Sequence, residues 1–371
     1  MHLFTVSKSA LLDPLIMVSG AVQKKQTLPI LSHILVRLQD NKLSLTATDL
    51  ELLMTATVPC QTEHIGTVAL PARKILDIVR SLEEEVPLSF QVEKNFVQIV
   101  SGKSKFKVSI LSGEDFPTPE EPPAHISFRL LRTDLLHLLE STFFAIAQQE
   151  IRTFLNGLLL ECDNQHMTAV AADGHRMAIA RIHTENTVEL SRFLIPRKSI
   201  SELLRVLHSI QDEFIQFSAG NQYVSIQTEC YIFTTKLIEA RYPAYEMAVP
   251  KAANKRVTID VELLRRALTR MMILAHEKNK GVLLDIQNTG LSLITNNQDQ
   301  EEAIENIEAE VEVEEESAEH SIGVNATYLI DVLQFYQDGL VRLSFSGSEQ
   351  SMLVESLKHP NYRYLIMPIK I

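Results

Sequence analysis

Cysteine is scarce in this chain, three in 371 residues, and Cys60, Cys162 and Cys230 share no C-x-x-C spacing. Such a scatter encodes neither a disulfide framework nor a zinc site. The three read as buried thiols in a reducing compartment. Long apolar runs are also missing. No stretch approaches the roughly 18 residues of a membrane-spanning helix, and the apolar segment 11–21 is interrupted by Asp13 and Pro14, which spoils it as the core of a secretory signal. Membrane association is therefore not expected, and a cytoplasmic location is. Positive charge is in deficit as well: the formal net charge is −12, which at first sight argues against a nucleic-acid partner, because phosphate binding runs on Lys and Arg. The distribution weakens that objection. Residues 301–320 hold ten glutamates and no Lys or Arg, and without them the balance is −2. Within that stretch Glu308, Glu310, Glu312 and Glu314 alternate with Ile307, Ala309, Val311 and Val313, the period of a half-buried strand showing acid on one outer face. The ligand spacing of an EF-hand is absent, so no calcium site is read here.

What is present is the composition of a soluble globular protein, 45% hydrophobic and 22% charged, and a length that calls for two or three domains. A long internal repeat organises it. Amphipathic helical segments at 8–22, 132–148 and 260–277 start 124 and 128 residues apart. Each is followed by a predicted hairpin, at 34–38 with 43–48, 158–162 with 167–171, and 282–286 with 291–295. The turns carry Asp40-Asn41, Asp163-Asn164 and Asn288-Thr289-Gly290, suited to tight reversals. A third strand and a second short helix follow in each block, the helices opening at Pro71, Pro196 and Asn325, with Pro fitting a first helical turn. Further strands close each block at 88–92, 96–101 and 106–110, at 214–217, 223–228 and 233–237, and at 341–345, 351–355 and 364–368. Pro-rich joints at 115–123 and 242–250 separate the blocks. Helix, strands, helix, strands, three times over, predicts an α+β layer arrangement.

Two motifs invite a catalytic reading. Asp173-Gly-His175-Arg176 sets a His beside a carboxylate, but no nucleophile motif or metal-ligand set accompanies it, so a structural or binding turn is preferred. Gly102-Lys103-Ser104 resembles the tail of a phosphate loop, yet Val97 stands where the earlier glycine is needed. No enzyme activity, metal or cofactor is expected. A DNA-cleaving enzyme would need carboxylates clustered for two metals, and a freestanding DNA regulator would need a base-reading helix; neither is visible.

Five ordered segments, Thr27-Leu-Pro-Ile-Leu, Ala47-Thr-Asp-Leu-Glu51, Leu155-Asn-Gly157, Asp173-Gly-His-Arg176 and Met367-Pro-Ile-Lys370, together with the repeat, resemble the bacterial beta sliding clamps, the beta subunits of DNA polymerase III, over essentially the whole chain. The resemblance implies three tandem DNA-clamp domains, at 1–121, 122–251 and 252–371, in a head-to-tail dimeric ring with helices lining a central hole. It also implies a non-catalytic function: encircling double-stranded DNA without sequence preference and tethering the polymerase III catalytic subunit, the clamp loader, and other polymerases and repair proteins. By position it assigns DNA contact to Lys25, Arg73, Gln149, Arg197 and Lys198, and a dimer interface to Phe106, Val108, Ile273 and Leu274. A pocket for partner peptides is implied at Leu155, Gly174, His175, Arg176, Met177 and Pro243, with Asn325, Tyr328, Met367, Pro368 and Ile369. Thr153, Ala172, Met247 and Glu349 depart from the commonest family pattern around that pocket. The residues themselves suit these roles. Arg73, Lys74 and Arg80, then Arg197, Lys198 and Arg205, then Arg265, Arg266 and Arg270, fall at helical spacings opposite apolar stripes, and the Leu, Met, Ile and Pro of the pocket would form an adaptable apolar cleft, with Arg176 and Asn325 to fix a peptide backbone.

Overall fold

The computed structural model describes residues 2–22, 28–62, 65–117, 124–184, 189–250, 252–277, 279–313, 321–336, 338–347 and 349–371. Lys25, Glu314 and the boundary at 121/122 lie outside them. Six helices form among these residues, two for each predicted block: α1 Lys8–Val18, α2 Ala72–Ser81, α3 Arg132–Phe143, α4 Arg197–Ser209, α5 Val261–Met271 and α6 Ala326–Tyr336. Local chemistry starts them. Ser7 Oγ accepts from Ala10 N at the head of α1, and Asp260 Oδ1 accepts from Leu263 N at the head of α5, each satisfying a donor that the first turn leaves open. Pro71 and Pro196 stand just before α2 and α4 rather than inside their first turns.

The first helix of each block is shorter than its apolar pattern suggests, and side chains explain where it stops. Ser19 Oγ donates to Leu15 O as α1 tightens into a 3₁₀ turn at Ser19–Ala21. In α3, Ser141 Oγ and Thr142 Oγ1 both donate to Leu138 O, diverting the carbonyl from the ladder. At the end of α5, Ile273 N and Leu274 N reach Arg270 O and Met271 O, the i to i+3 pattern of a closing turn.

Among the described residues the strands form four antiparallel sheets, and they do not keep to the blocks. A four-stranded sheet runs His2–Val6, Leu88–Glu93, Phe96–Ser101, Ser104–Ser109. A nine-stranded sheet begins with four strands of the middle block, Ile126–Leu131, Phe214–Ala219, Tyr223–Gln227 and Tyr231–Lys236, and continues directly into Leu52–Pro59, Lys42–Thr48, His33–Gln39, Gly66–Pro71 and Leu111–Ser112 of the first. The join is the ladder Tyr231↔Ala56 to Thr235↔Leu52. A second nine-stranded sheet runs Ser191–Pro196, Gly157–Cys162, His166–Ala172, Arg176–His183 and then Tyr362–Ile366, Met352–Ser356, Leu340–Phe345, Lys255–Asp260, Glu310–Val313, joined through Arg176↔Ile366 to Ala180↔Tyr362. The last sheet is Glu302–Glu308, Gly290–Asn296, Gly281–Gln287, Ser321–Asn325.

Two compact units result: Met1–Thr133 with Lys198–Leu237, and Asp134–Arg197 with Ile238–Ile371. Each takes half of the middle block, because each half is bonded strand to strand with a different neighbour. In the first unit α1 and α2 pack together, with Leu11, Leu15, Ile75 and Val79 buried; in the second α5 and α6 do so, with Leu264, Leu268, Leu329 and Leu333 buried.

Two expectations are corrected. The acidic alternation at 307–314 is not one strand, since Glu302–Glu308 pairs with Gly290–Asn296 while Glu310–Val313 pairs with Lys255–Thr258 in another sheet; the chain changes partners at Ala309. Of the cysteines only Cys162 is buried, its thiol pushed up to about 12 by burial and by the nearby Asp163 and Glu161. Cys60 is half-buried and Cys230 exposed, the latter because it sits in the turn before Tyr231–Lys236 and not on a strand face.

Candidate peptide pocket and nucleic-acid interface

The second unit gathers most of the expected pocket residues around one turn. Asp173 Oδ1 accepts from His175 N at 2.9 Å and Arg176 N at 3.0 Å, an Asx turn that delivers the chain into the strand Arg176–His183. Gly174 at its tip has φ +90, a backbone conformation that favours glycine, while the Arg152 guanidinium that a Cβ would meet at 2.5 Å is the end of a flexible side chain and can turn aside. Arg176 lies beneath. Its Nε donates to Asp173 Oδ2 at 3.0 Å, Nη1 to Asp331 Oδ2 at 2.5 Å and Nη2 to Phe144 O at 2.7 Å. The guanidinium also stacks 4.4 Å from the Tyr328 ring centroid and 5.2 Å from that of Phe144. Three of its five N–H donors are thus engaged within the protein, and Arg176 builds the wall of the cleft.

Leu155 is buried with Ala147 and Ala172, and Phe154 and Met177 pack on that cluster half-exposed. Tyr242 meets Phe154 edge to face at 5.7 Å. Three residues on, Tyr245 Oη donates to Glu161 Oε2 at 2.6 Å, while Arg192 Nε donates to Glu161 Oε1 at 2.5 Å. The exposed Pro243 is thereby held between two anchored tyrosines. Burial, and then the bond to Glu161, push the Tyr245 phenol well above its ordinary range. On the other side, Asn325 Oδ1 accepts from Thr327 N at 2.9 Å at the start of α6, and Tyr328 and Asp331 project from the next turn toward Arg176. The C-terminal segment leaves the sheet at Ile366; Met367 N donates to His175 O and Ile369 N to Gly323 O, each at 2.8 Å. Met367 and His175 are exposed, and Pro368 and Ile369 half-buried. Ala172 is buried against Leu155, whereas Met247 is exposed.

Arg152, Phe154, Tyr242, Phe144 and Asp331 belong to this surface and were missed in the sequence. Asp331 alone carried a signal, standing three residues from Tyr328 on one helix face; the others lie in turns and loops between the α-helices and strands.

The candidate DNA contacts are less uniform than their spacing suggests. Arg73 is the most open, its side chain 87% exposed and paired only at 4.0 Å with the exposed Asp77, and Lys74 and Arg80 on the same helix are exposed too. Gln149 is exposed at φ +55. Arg197 is half-buried, stacked on Phe143 and donating to the carbonyls of Phe143 and Ile146, which caps the end of α3. Lys198 is ion-paired to Asp49, a carboxylate that is only 1% exposed. Burial works against that carboxylate, but Lys198 and the amides of Leu52 and Glu51 outweigh it and hold Asp49 below the usual range. The α5 arginines are also paired, Arg265 and Arg266 sharing the one carboxylate of Glu262 and Arg270 meeting Glu305.

Among the interface candidates, Ile273 is 78% exposed and Leu274 half-buried. Phe106 is half-buried and Val108 already buried within the protomer. The strand carrying them, Ser104–Ser109, ends its sheet, as Glu302–Glu308 ends the last one, so among the described residues no further strand lies beside either. One bears Lys105 and Lys107, the other Glu302, Glu305 and Glu308.

Comparison with known proteins agrees along the whole length. Residues 2–120, 130–244 and 246–370 match the family models of the N-terminal, central and C-terminal domains of the DNA polymerase III beta subunit. The chain is 37% identical over 373 residues to the beta sliding clamp of Pseudomonas aeruginosa, covering all of both chains. It is 35% identical to that of Escherichia coli K12, covering 99% of this chain and 100% of the relative. Among solved structures, the P. aeruginosa sliding clamp bound to griselimycin superposes with a TM-score of 0.94 at 36% identity, and the Thermotoga maritima beta subunit with 0.92 at 26%, each covering 100% of both chains.

Proposed function

From the premise that this chain belongs to the DNA polymerase III beta subunit family, the beta sliding clamps, we propose how its own residues carry the work of a clamp. It is a non-catalytic processivity factor: its task is to stay on double-stranded DNA while other proteins act there. The carrying observation is the run of three clamp domains in one chain, with Ser104–Ser109 and Glu302–Glu308 each at the edge of its sheet among the described residues. Inside the protomer, blocks are joined edge to edge at Leu52–Pro59 with Tyr231–Lys236 and at Arg176–His183 with Tyr362–Ile366. The same kind of joint between two copies, Lys105 and Lys107 against the glutamates of the other edge, with Phe106, Val108, Ile273 and Leu274 adding apolar contact, closes a head-to-tail ring. A closed ring needs only weak, sequence-neutral phosphate contacts, which fall to Arg73 first, with Lys25, Gln149, Arg197 and Lys198 secondary. The three clamp domains are placed at 1–121, 122–251 and 252–371.

Partners dock by short peptides in the cleft of Leu155, Gly174, His175, Met177, Pro243, Asn325, Tyr328 and Met367–Ile369, whose wall Arg176 supports. The polymerase III catalytic subunit, the clamp loader and repair proteins are the expected users, in the cytoplasm. The test is loading on nicked circular DNA followed by linearisation: the clamp should remain on circles and leave linear DNA, and equal retention on both would overturn the topological reading.

A further inference from the structure

The last five residues do not form a strand with the rest of their sheet, yet they are held. Met367 is bonded to His175 O at one end and Ile369 to Gly323 O two residues later, so Pro368 is strung between the Asx turn and the edge strand Ser321–Asn325. The landing site is bare. Gly281 and Gly323 lie on one face of neighbouring strands, as the register Gly281↔Asn325 and Leu283↔Gly323 shows. The opposite face of those strands, with Val282, Leu284, Ile322 and Val324, is fully buried. A Cβ on Gly323 would stand 2.4 Å from Ile369 O and 3.0 Å from Ile371 Cδ1; one on Gly281 would stand 3.2 Å from Ile371 Cγ1 and 3.3 Å from Ile369 Cδ1. Neither glycine has the positive φ that would account for its presence. Glycine in a strand interior is otherwise unfavourable and marks a place where another backbone comes close.

We infer that Gly281 and Gly323 are positioning residues for the peptide cleft: they seat Ile369 and Ile371, and through that seat fix Met367 and Pro368 against the Asp173–Arg176 turn. The inference rests on the cleft being the peptide site. The two glycines act unequally. At 323 the obstruction is a backbone carbonyl, which has to lift and takes Pro368 with it. At 281 it is the far end of isoleucine side chains, which can turn aside.

The test uses the full-length dimer with Gly323→Ala, Gly281→Ala and, as control, Gly347→Ala, where a Cβ meets nothing within 4 Å. Hydrogen exchange at the Ile369 amide reads the seat directly, and fluorescence anisotropy with a labelled polymerase-derived peptide reads its consequence. Gly323→Ala should speed exchange at Ile369 and raise the Kd about tenfold, Gly281→Ala about threefold, with Tm and dimer size equal to the control. Adding Ile371→Ala to Gly281→Ala should return affinity to that of Ile371→Ala alone. This rescue carries the test should Gly323→Ala fail to fold. Wild-type exchange and affinity in Gly323→Ala would overturn the inference. A wild-type protein that does not bind the peptide would instead sink the cleft reading, with exchange at Ile369 still deciding the seat.

Discussion

At Arg176 one guanidinium donates to two carboxylates and a carbonyl while stacked on two rings. The family resemblance put Arg176 in the peptide pocket; two of the partners that hold it in place, Phe144 and Asp331, are 32 and 155 residues away and leave no local trace. Arg176→Ala should therefore cost about 3 kcal/mol, because it strands partly buried Asp173 and Asp331, and urea denaturation would read this as a lowered midpoint with unchanged slope. Asp49 behaves alike in the other unit. Its carboxyl is held below the ordinary range in the folded state, so the stability it contributes is present above the unfolded carboxylate pKa and is lost as pH falls through the lowered one. Asp49→Ala, which also frees the amides of Glu51 and Leu52, should cost about 1–3 kcal/mol at neutral pH. The variant and the parent should converge in thermal melts taken at progressively acid pH.

Periodicity located nearly every helix and hairpin, because a buried stripe or alternation is a local property. It did not place the helix ends near Ser19, Phe143 and Met272, where hydroxyl back-bonding or a tightened last turn intervenes, nor the exchange of partners at Ala309. Strand pairing is harder still, since an alternating strand shows which face is buried and nothing about which edge is taken. Hence the joins at Tyr231–Lys236 and Tyr362–Ile366 were illegible, while the resemblance of short motifs reached the right architecture by another route. The edge strands carry a prediction. Ile273→Ala with Leu274→Ala should yield folded monomers in light scattering at low micromolar concentration, since Ile273 is exposed and its loss costs the protomer little. Reversing Lys105 and Lys107 to Glu should weaken the dimer most at low salt, where surface charges are least screened.

For the whole molecule, the candidate DNA residues differ in what their loss would do. Arg73→Ala should lower the slope of log affinity against log salt by about 0.9, the share of one phosphate contact, and leave the melting temperature unchanged. Arg197→Ala should do the reverse, lowering stability because it uncaps α3, with a smaller change in slope; equal slopes in Arg73→Ala and the parent would remove Arg73 from the DNA path. The repeat in the sequence marks three modules, but the sheets tie them in another grouping, and this bears on what can be cut apart. A fragment ended at 121 would bare the edge of Leu52–Pro59, and its complement the edge of Tyr231–Lys236, each a long ready-made template for stray pairing. Separate expression of the modules should give aggregates, whereas a protease nick at 118–123 should leave the two pieces gripping each other through five cross-strand pairs, comigrating in native gels and parting only under denaturant. Evolution by tandem duplication would in that case have had to interlock the copies as it made them, so that the middle one survives only as the shared property of its neighbours.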